Sequence, residues 1–309
     1  METIEPPVVR ADEVLVEVHA SSINPADLYL IQGIPYMSRA ASGLRAPRTC
    51  VRGQDIAGVV AELGSDVTAV GVGDEVYAES PRGGGYGERA AVKCEHVCPK
   101  PARLSFEQAA TVPVAGVTAL QGLRDIGRVQ AGHHILINGA SGGVGTFAVQ
   151  IARALGAHVT GVCSSENIEL VRSFGADRAL DYHAEDFTTI GVRFDLIFDL
   201  VGNRTISDLR RALTPEGSLV LAAGGGGRWL GPVPRLLRGL ATSPFTRQRL
   251  VALIAKPNAA DLRAVAHLIQ AGDLTPVLQR TVELRDLPNA LDQQLAGHAK
   301  GKVAVRVQP

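Results

Sequence analysis

The segment Ile135-Leu-Ile-Asn-Gly-Ala-Ser-Gly-Gly-Val-Gly-Thr-Phe-Ala-Val-Gln-Ile-Ala152 passes from an apolar strand pattern through a glycine loop into a helical pattern. Within it, Ala140-x-Gly142-x-x-Gly145 has the spacing of a dinucleotide-binding turn. Small residues permit the tight turn, Gly142 lets backbone approach a pyrophosphate, and Gly145 lets helix and strand pack closely. The helix N-terminus offers N–H groups and the positive end of its dipole to phosphate. Ala140 departs from glycine at the first position but remains small. The expected phosphate cradle is therefore Ala140, Ser141, Gly142, Gly143, Val144 and Gly145. The competing reading is a glycine-rich turn that binds nothing, and the strand–loop–helix context argues against it.

The next strand ends at Gly161-Val-Cys-Ser-Ser165. A site for NAD usually places Asp or Glu here to accept from the ribose hydroxyl. Ser164 and Ser165 instead leave room for a 2′-phosphate, which favours NADPH. The neighbouring Glu166 keeps NADH open, and plain helix capping is the alternative role for the two serines.

The elements that must position these residues fall into three stretches. Up to about residue 105, short alternating runs such as Glu13-Val-Leu-Val-Glu-Val-His19 are separated by turns, as in a barrel-like β domain. Ser105-Phe-Glu-Gln108 is a capping-box helix start. From His134 onward strands and helices alternate, which implies a parallel sheet with helices on both faces. A final helix, strand and helix lead to a last strand from Lys302 to Val307. The fold class is α/β. Residues 1–107, completed by 271–309, are expected to form a β-rich domain, and residues 108–270 a Rossmann domain of six strands.

Composition narrows the function classes. Of 309 residues, 46% are hydrophobic and 20% charged, a core-forming balance that excludes disorder. Thirty-one basic residues offset 31 acidic ones, so nucleic acid has no electrostatic claim on the chain. Four cysteines are too few for a disulfide framework and suit a reducing compartment. Neither a signal peptide nor a membrane span is read, and a cytoplasmic location is expected.

The combination Asn24-Pro-Ala-Asp27, Gly53-Gln-Asp-Ile-Ala-Gly58, Gly71-Val-Gly-Asp-Glu-Val76, the glycine loop, Phe174-Gly-Ala-Asp177 and Gly301-Lys-Val303 resembles the medium-chain dehydrogenase/reductase superfamily. Within it the likeness is to the zinc-free quinone oxidoreductase branch, of which zeta-crystallin is a member. The resemblance spans nearly the whole chain, although the family usually begins with about twenty further residues. It implies a GroES-like catalytic domain beside the Rossmann domain. It also implies hydride transfer from NADPH to a quinone or α,β-unsaturated carbonyl. A 2-enoyl thioester reductase, or a low-turnover NADPH-binding structural or regulatory protein, are the alternatives.

Zinc-dependent members carry Cys, then Gly-His-Glu, then a second Cys. The matching positions here hold Asn24, Gly53-Gln54-Asp55 and approximately Val114, which cannot build a tetrahedral N/S site. No zinc is therefore expected. The implied substrate-side residues are Asn24, Tyr29 and Tyr36; for Tyr36 packing is an equally good account. The implied cofactor contacts are Thr118, Tyr182, Val201, Gly202, Ala223, Gly224 and Lys302, besides the glycine loop and the two serines. A homodimer is expected through residues 245–256, because Leu250-Val-Ala-Leu-Ile254 reads as an apolar edge strand. The stretch from Gly217 to Ala260 holds no acidic residue, and its arginines are a possible basic face for an acidic carrier.

Overall fold

The computed structural model describes residues 2–36, 51–222, 246–295 and 300–308, with isolated positions 39, 43, 233, 234 and 237. Two compact units result. One comprises residues 1–33, 38–117 and 256–309; the other comprises residues 34–37 and 118–255.

The first unit is built on a seven-stranded sheet. Its strands are β1 (Glu13–Ser22), β2 (Asp55–Leu63), β3 (Glu75–Glu79), β4 (Arg89–Lys93) and β5 (Val97–Pro99), joined later by β12 (Leu278–Glu283) and β13 (Lys302–Arg306). β1 pairs antiparallel with β2, β4 and β13, so the end of the chain closes against its beginning. Alternating Val14, Val16, Val18, Ile56 and Val76 fill the core under this sheet. Helix α1 (Pro25–Gln32) follows β1, starting at Asn24 with Pro25 in its first turn. The Ser105 capping box forms as read, opening α2 (Phe106–Ala110), and α3 (Pro113–Leu120) follows directly.

The second unit is a six-stranded parallel sheet in the order β11-β10-β9-β6-β7-β8. In chain order these are β6 (His134–Asn138), β7 (His158–Cys163), β8 (Arg178–Asp181), β9 (Phe194–Asp199), β10 (Leu213–Leu221) and β11 (Arg249–Ala252). Between them run α4 (Gly143–Ala154), α5 (Ile168–Ser173) and α6 (Ile206–Arg211). The strand order reverses beside β6, which is the switch point where such sheets bind ligands at their carboxyl ends.

The division falls at 117/118 and 255/256 rather than at the expected 107 and 271. The reason lies in α7 (Ala259–Ala271), which packs with the first unit: the wholly buried Tyr77 donates to Leu262 O at 2.7 Å, and Arg103 to Ile269 O at 2.8 Å. The last helix, α8 (Leu287–Leu295), contributes Leu287 and Ala290 to a small core with Ile23, Val303 and Val305.

Candidate functional site

The dinucleotide loop lies wholly in the second unit. Gly139, with φ +92°, turns the chain away from β6, and its N–H and that of Ala140 donate to Val162 O on β7. Gly142 is the N-cap of α4 and carries no side-chain cap. The first-turn N–H groups of a helix have no intrahelical acceptor, so they face whatever lies beyond the end. A Cβ placed on Gly142 would meet only Gly139 O, at 3.4 Å, which leaves a cradle for a phosphate group. At Gly145 a Cβ would lie 2.1 Å from Gly139 O, so this position is closed by backbone. Gly142 is thus the open position of the loop and Gly145 the closed one.

A polar cluster joins this loop to the end of β7. Asn167 Nδ2 donates to Ser164 Oγ at 2.9 Å and to Ser141 Oγ at 3.4 Å. Asn167 is buried, and its Oδ1 has no hydrogen-bond partner. A buried orphan acceptor between loop and strand end suits a ribose-side contact. Asn167 was not singled out from the sequence, where it reads as a surface helix residue. Ser165 and Glu166 are exposed.

A second connection lies at the ends of β6 and β9. Buried Asn138 donates to Asp199 Oδ1 at 2.8 Å and to Asn203 Oδ1 at 3.0 Å. The same Asp199 oxygen accepts from Gly202 N at 3.0 Å. This fixes the turn carrying Val201 and Gly202 beside the glycine loop: a Cβ on Gly139 would meet Val201 Cγ2 at 2.8 Å. Tyr182 follows β8 and is partly exposed, and Thr118 sits half-buried on α3. Ala223 and Gly224 lie outside the described residues.

The first unit gathers its own cluster around Asp55, which is fully buried. Asp55 Oδ2 accepts from Ser22 Oγ at 2.5 Å, Asn24 Nδ2 at 2.8 Å and Lys302 Nζ at 3.2 Å, and Oδ1 accepts from Val114 N at 2.8 Å. Lys302 Nζ also donates to Asn24 Oδ1 at 2.5 Å and Ile23 O at 3.2 Å. All three of its N–H groups therefore have acceptors inside the unit, whereas the resemblance implies a contact to the cofactor. Lys302 holds Asn24 and Asp55.

Around this centre stand further buried acids. Asp27 accepts from Asn24 N and Tyr86 Oη, while its Oδ1 is unpartnered. Burial, then the nearby Asp55 carboxylate, push Asp27 up to about 6. Glu79 lies directly across from Asp55 in the β2–β3 register, with Oε2 unpartnered. Burial, then Asp55, push it up to about 8, so it holds its proton at neutral pH. Tyr86 is raised well above the usual phenol range by burial. Of the expected substrate-side residues, Asn24 belongs to this cluster, Tyr29 is half exposed on α1, and Tyr36 is half-buried.

The positions that match a metal centre are thus tied together by a carboxylate and an ammonium. Asn24 Oδ1 accepts from Lys302, Val114 contributes its backbone N–H to Asp55, and Gln54 brings an amide. This donor set does not fit zinc. Among the described residues no cluster of three or more His, Cys, Asp or Glu has metal-binding geometry. Nor is any described helix long and apolar enough to cross a membrane.

Comparison with known proteins agrees with both units. Residues 10–122 match the model of the alcohol dehydrogenase GroES-like domain, and residues 174–305 that of the zinc-binding dehydrogenases. The chain is 32% identical to the mouse (Mus musculus) mitochondrial NAD(P)H oxidoreductase RTN4IP1, over 96% of this chain and 82% of that protein. It is also 32% identical to a chloroplastic NADPH-dependent alkenal/one oxidoreductase of Arabidopsis thaliana, over 97% of this chain and 73% of that one. The solved quinone oxidoreductase of Coxiella burnetii superposes with a TM-score of 0.86 at 29% identity, covering 99% of this chain and 93% of that one.

Proposed function

The chain belongs to the quinone oxidoreductase branch of the medium-chain dehydrogenase/reductase superfamily, and from that premise we propose that it moves hydride from NADPH to a quinone or α,β-unsaturated carbonyl without a metal ion. The observation that carries this reading is the Lys302–Asn24–Asp55 cluster, in which Asn24 and Asp55, two of the positions that the resemblance matches to the zinc motif, are hydrogen-bonded to an ammonium. A zinc ion is a Lewis acid worth several kcal/mol on a ketone oxygen. Conjugated acceptors need less, because hydride enters at carbon and the charge spreads into an enolate or phenolate. Neutral donors suffice for such an oxyanion. Asn24 retains one Nδ2 hydrogen beyond its bond to Asp55, and the hydroxyls of Tyr29 and Tyr36 are the other candidates.

NADPH would be held by the α4 N-terminus and the Gly139–Gly145 loop at its pyrophosphate, and by Ser141, Ser164 and Asn167 at its adenosine ribose. When bound it supplies the hydride. The ribose-side cluster contains no carboxylate, and its hydroxyls and amide suit a 2′-phosphate; Glu166 faces solvent. A homodimer through β11 completes the reading. β11 is the sheet edge, and Ile254 just beyond it is 78% exposed. Leu253, by contrast, turns inward at 8% exposure.

Turnover with NADPH and with NADH, each offered 1,4-benzoquinone and crotonyl-CoA, tests the assignment. The expected result is oxidation of NADPH by the quinone in preference to the thioester. Preferential reduction of crotonyl-CoA would reassign the enzyme to enoyl thioesters, and a preference for NADH would refute the reading of the serines.

A further inference from the structure

The acid-free stretch read from the sequence contributes to a pocket that the hydride-transfer chemistry does not use. A cavity of about 450 Å³ opens in the second unit between α6 and the approach to β11. Four arginines line it, Arg193, Arg210, Arg211 and Arg247, together with Thr246 and Gln248. Arg193 immediately precedes β9, Arg210 and Arg211 close α6, and residues 246–248 lead into β11. These are the amino ends of the parallel strands. The glycine loop and Asp199 sit at the carboxyl ends, and the six residues of β9 at about 3.3 Å each separate the two by roughly 20 Å.

The arginines are held in place without being neutralised. Arg210 Nε donates to Gln248 Oε1 at 3.0 Å, and Gln248 Nε2 donates back to Arg210 O at 2.9 Å and to Thr214 O at 3.2 Å. Thr246 Oγ1 accepts from Gln248 N at 2.8 Å, which fixes the turn. Among the described residues no partner is recorded for the two terminal nitrogens of Arg210. Arg193 donates to Leu213 O, and Arg247 is exposed with no partner among the described residues. Among the described residues only Arg211 of the four meets a carboxylate, Asp208 at 2.5 Å; Glu216, beside the lining residue Pro215, is exposed and pairs with none of them. The dipole at the C-terminus of α6 accommodates Arg210 and Arg211 in part, but not Arg193 or Arg247.

We propose that this pocket is a second anion site, separate from the dinucleotide site, for a soluble phosphorylated small molecule carrying at least two negative charges. Planar guanidinium forks match oxyanion oxygens in pairs, and a phosphorylated molecule offers enough oxygens to engage several forks at once, which a chloride cannot do. The volume lies in the range of small-molecule sites. An occupant bridging Arg193 and Arg210 to Arg247 would tie the segment before the edge strand to α6 and stabilise that end of the sheet.

Calorimetric titration of inorganic pyrophosphate into protein saturated with NADPH tests this, at roughly 0.15 M salt, where exposed charges are largely screened. One site per chain is expected. The double variant Arg193→Gln/Arg247→Gln should weaken it by at least about tenfold while NADPH affinity stays unchanged. Pyrophosphate binding should also persist in Gly142→Asp, which disables the other anion site. No saturable binding, equal binding by the double variant, or loss of binding in Gly142→Asp would each overturn the proposal.

Discussion

Replacing Lys302 by Met removes the ammonium that pairs with Asp55 in a buried cluster of acids. The methionine is close to isosteric, so the loss is electrostatic. In the wild type Asp55 is fully buried and Lys302 is 4% exposed, with 3.2 Å between their charged atoms. Breaking such a pair from one side costs about 3–5 kcal/mol, because it strands the remaining charge. Asp55 would keep Ser22, Asn24 and Val114 as donors, which favours the lower end of that range. Asn24 Oδ1 and Ile23 O would lose their donor, which offsets part of the relief. A loss of about 3 kcal/mol lowers Tm by roughly 6–12 °C for a unit of this size. Differential scanning calorimetry at neutral pH is the assay, with Lys302→Met/Asp55→Asn alongside. The double variant should recover at least half the loss. A deficit below about 1 kcal/mol, or a double variant no more stable than the single one, would refute the claim that Lys302 exists here to hold Asp55 and Asn24.

Four further variants have expected outcomes. Glu79→Gln should raise stability at neutral pH by up to about 3 kcal/mol, taking about 1.4 kcal/mol per pH unit above 4.5. The folded pKa of Glu79 lies above the unfolded one, so wild-type stability falls as pH rises from about 4.5 to about 8, and the variant should lose that slope in urea unfolding. Gly142→Asp should fold normally and bind NADPH at least about tenfold more weakly, about 1.4 kcal/mol. Gly145→Ala should instead lower Tm as well, since its Cβ meets Gly139 O at 2.1 Å; equal behaviour of the two in fluorescence titration and melting would contradict the division of roles. Ile254→Asp should give a soluble monomer in sedimentation if β11 is the dimer edge; an unchanged sedimentation coefficient would place the interface elsewhere.

The parts legible in the sequence are those whose partners are near in the chain. Gly142 and Gly145 lie three residues apart on one loop, and the alternation of β6, α4 and β7 is written in local periodicity. The last strand was also legible, since Lys302–Arg306 alternates as a sheet strand must, and it pairs with β1. The Asp55 cluster was not, because its members come from positions 22, 24, 55, 114 and 302. Asp55 and Asn24 were visible as failed zinc ligands, but nothing local reveals that an ammonium from the far end of the chain joins them. Glu79 ends a short strand and looks solvent-facing; only the register that sets it opposite Asp55 shows it buried. Asn167 is likewise a helix-start residue until β7 and the glycine loop close around it. The arginine pocket depends on three turns at the amino ends of β9, β10 and β11, each unremarkable alone.

Hydride transfer without a metal ion is tested by NADPH consumption with 1,4-benzoquinone by protein dialysed against chelator, set beside undialysed protein and Gly142→Asp. Equal turnover by the first two, with little by the variant, is the predicted result. Turnover that falls on chelation and returns with added Zn²⁺ would contradict it.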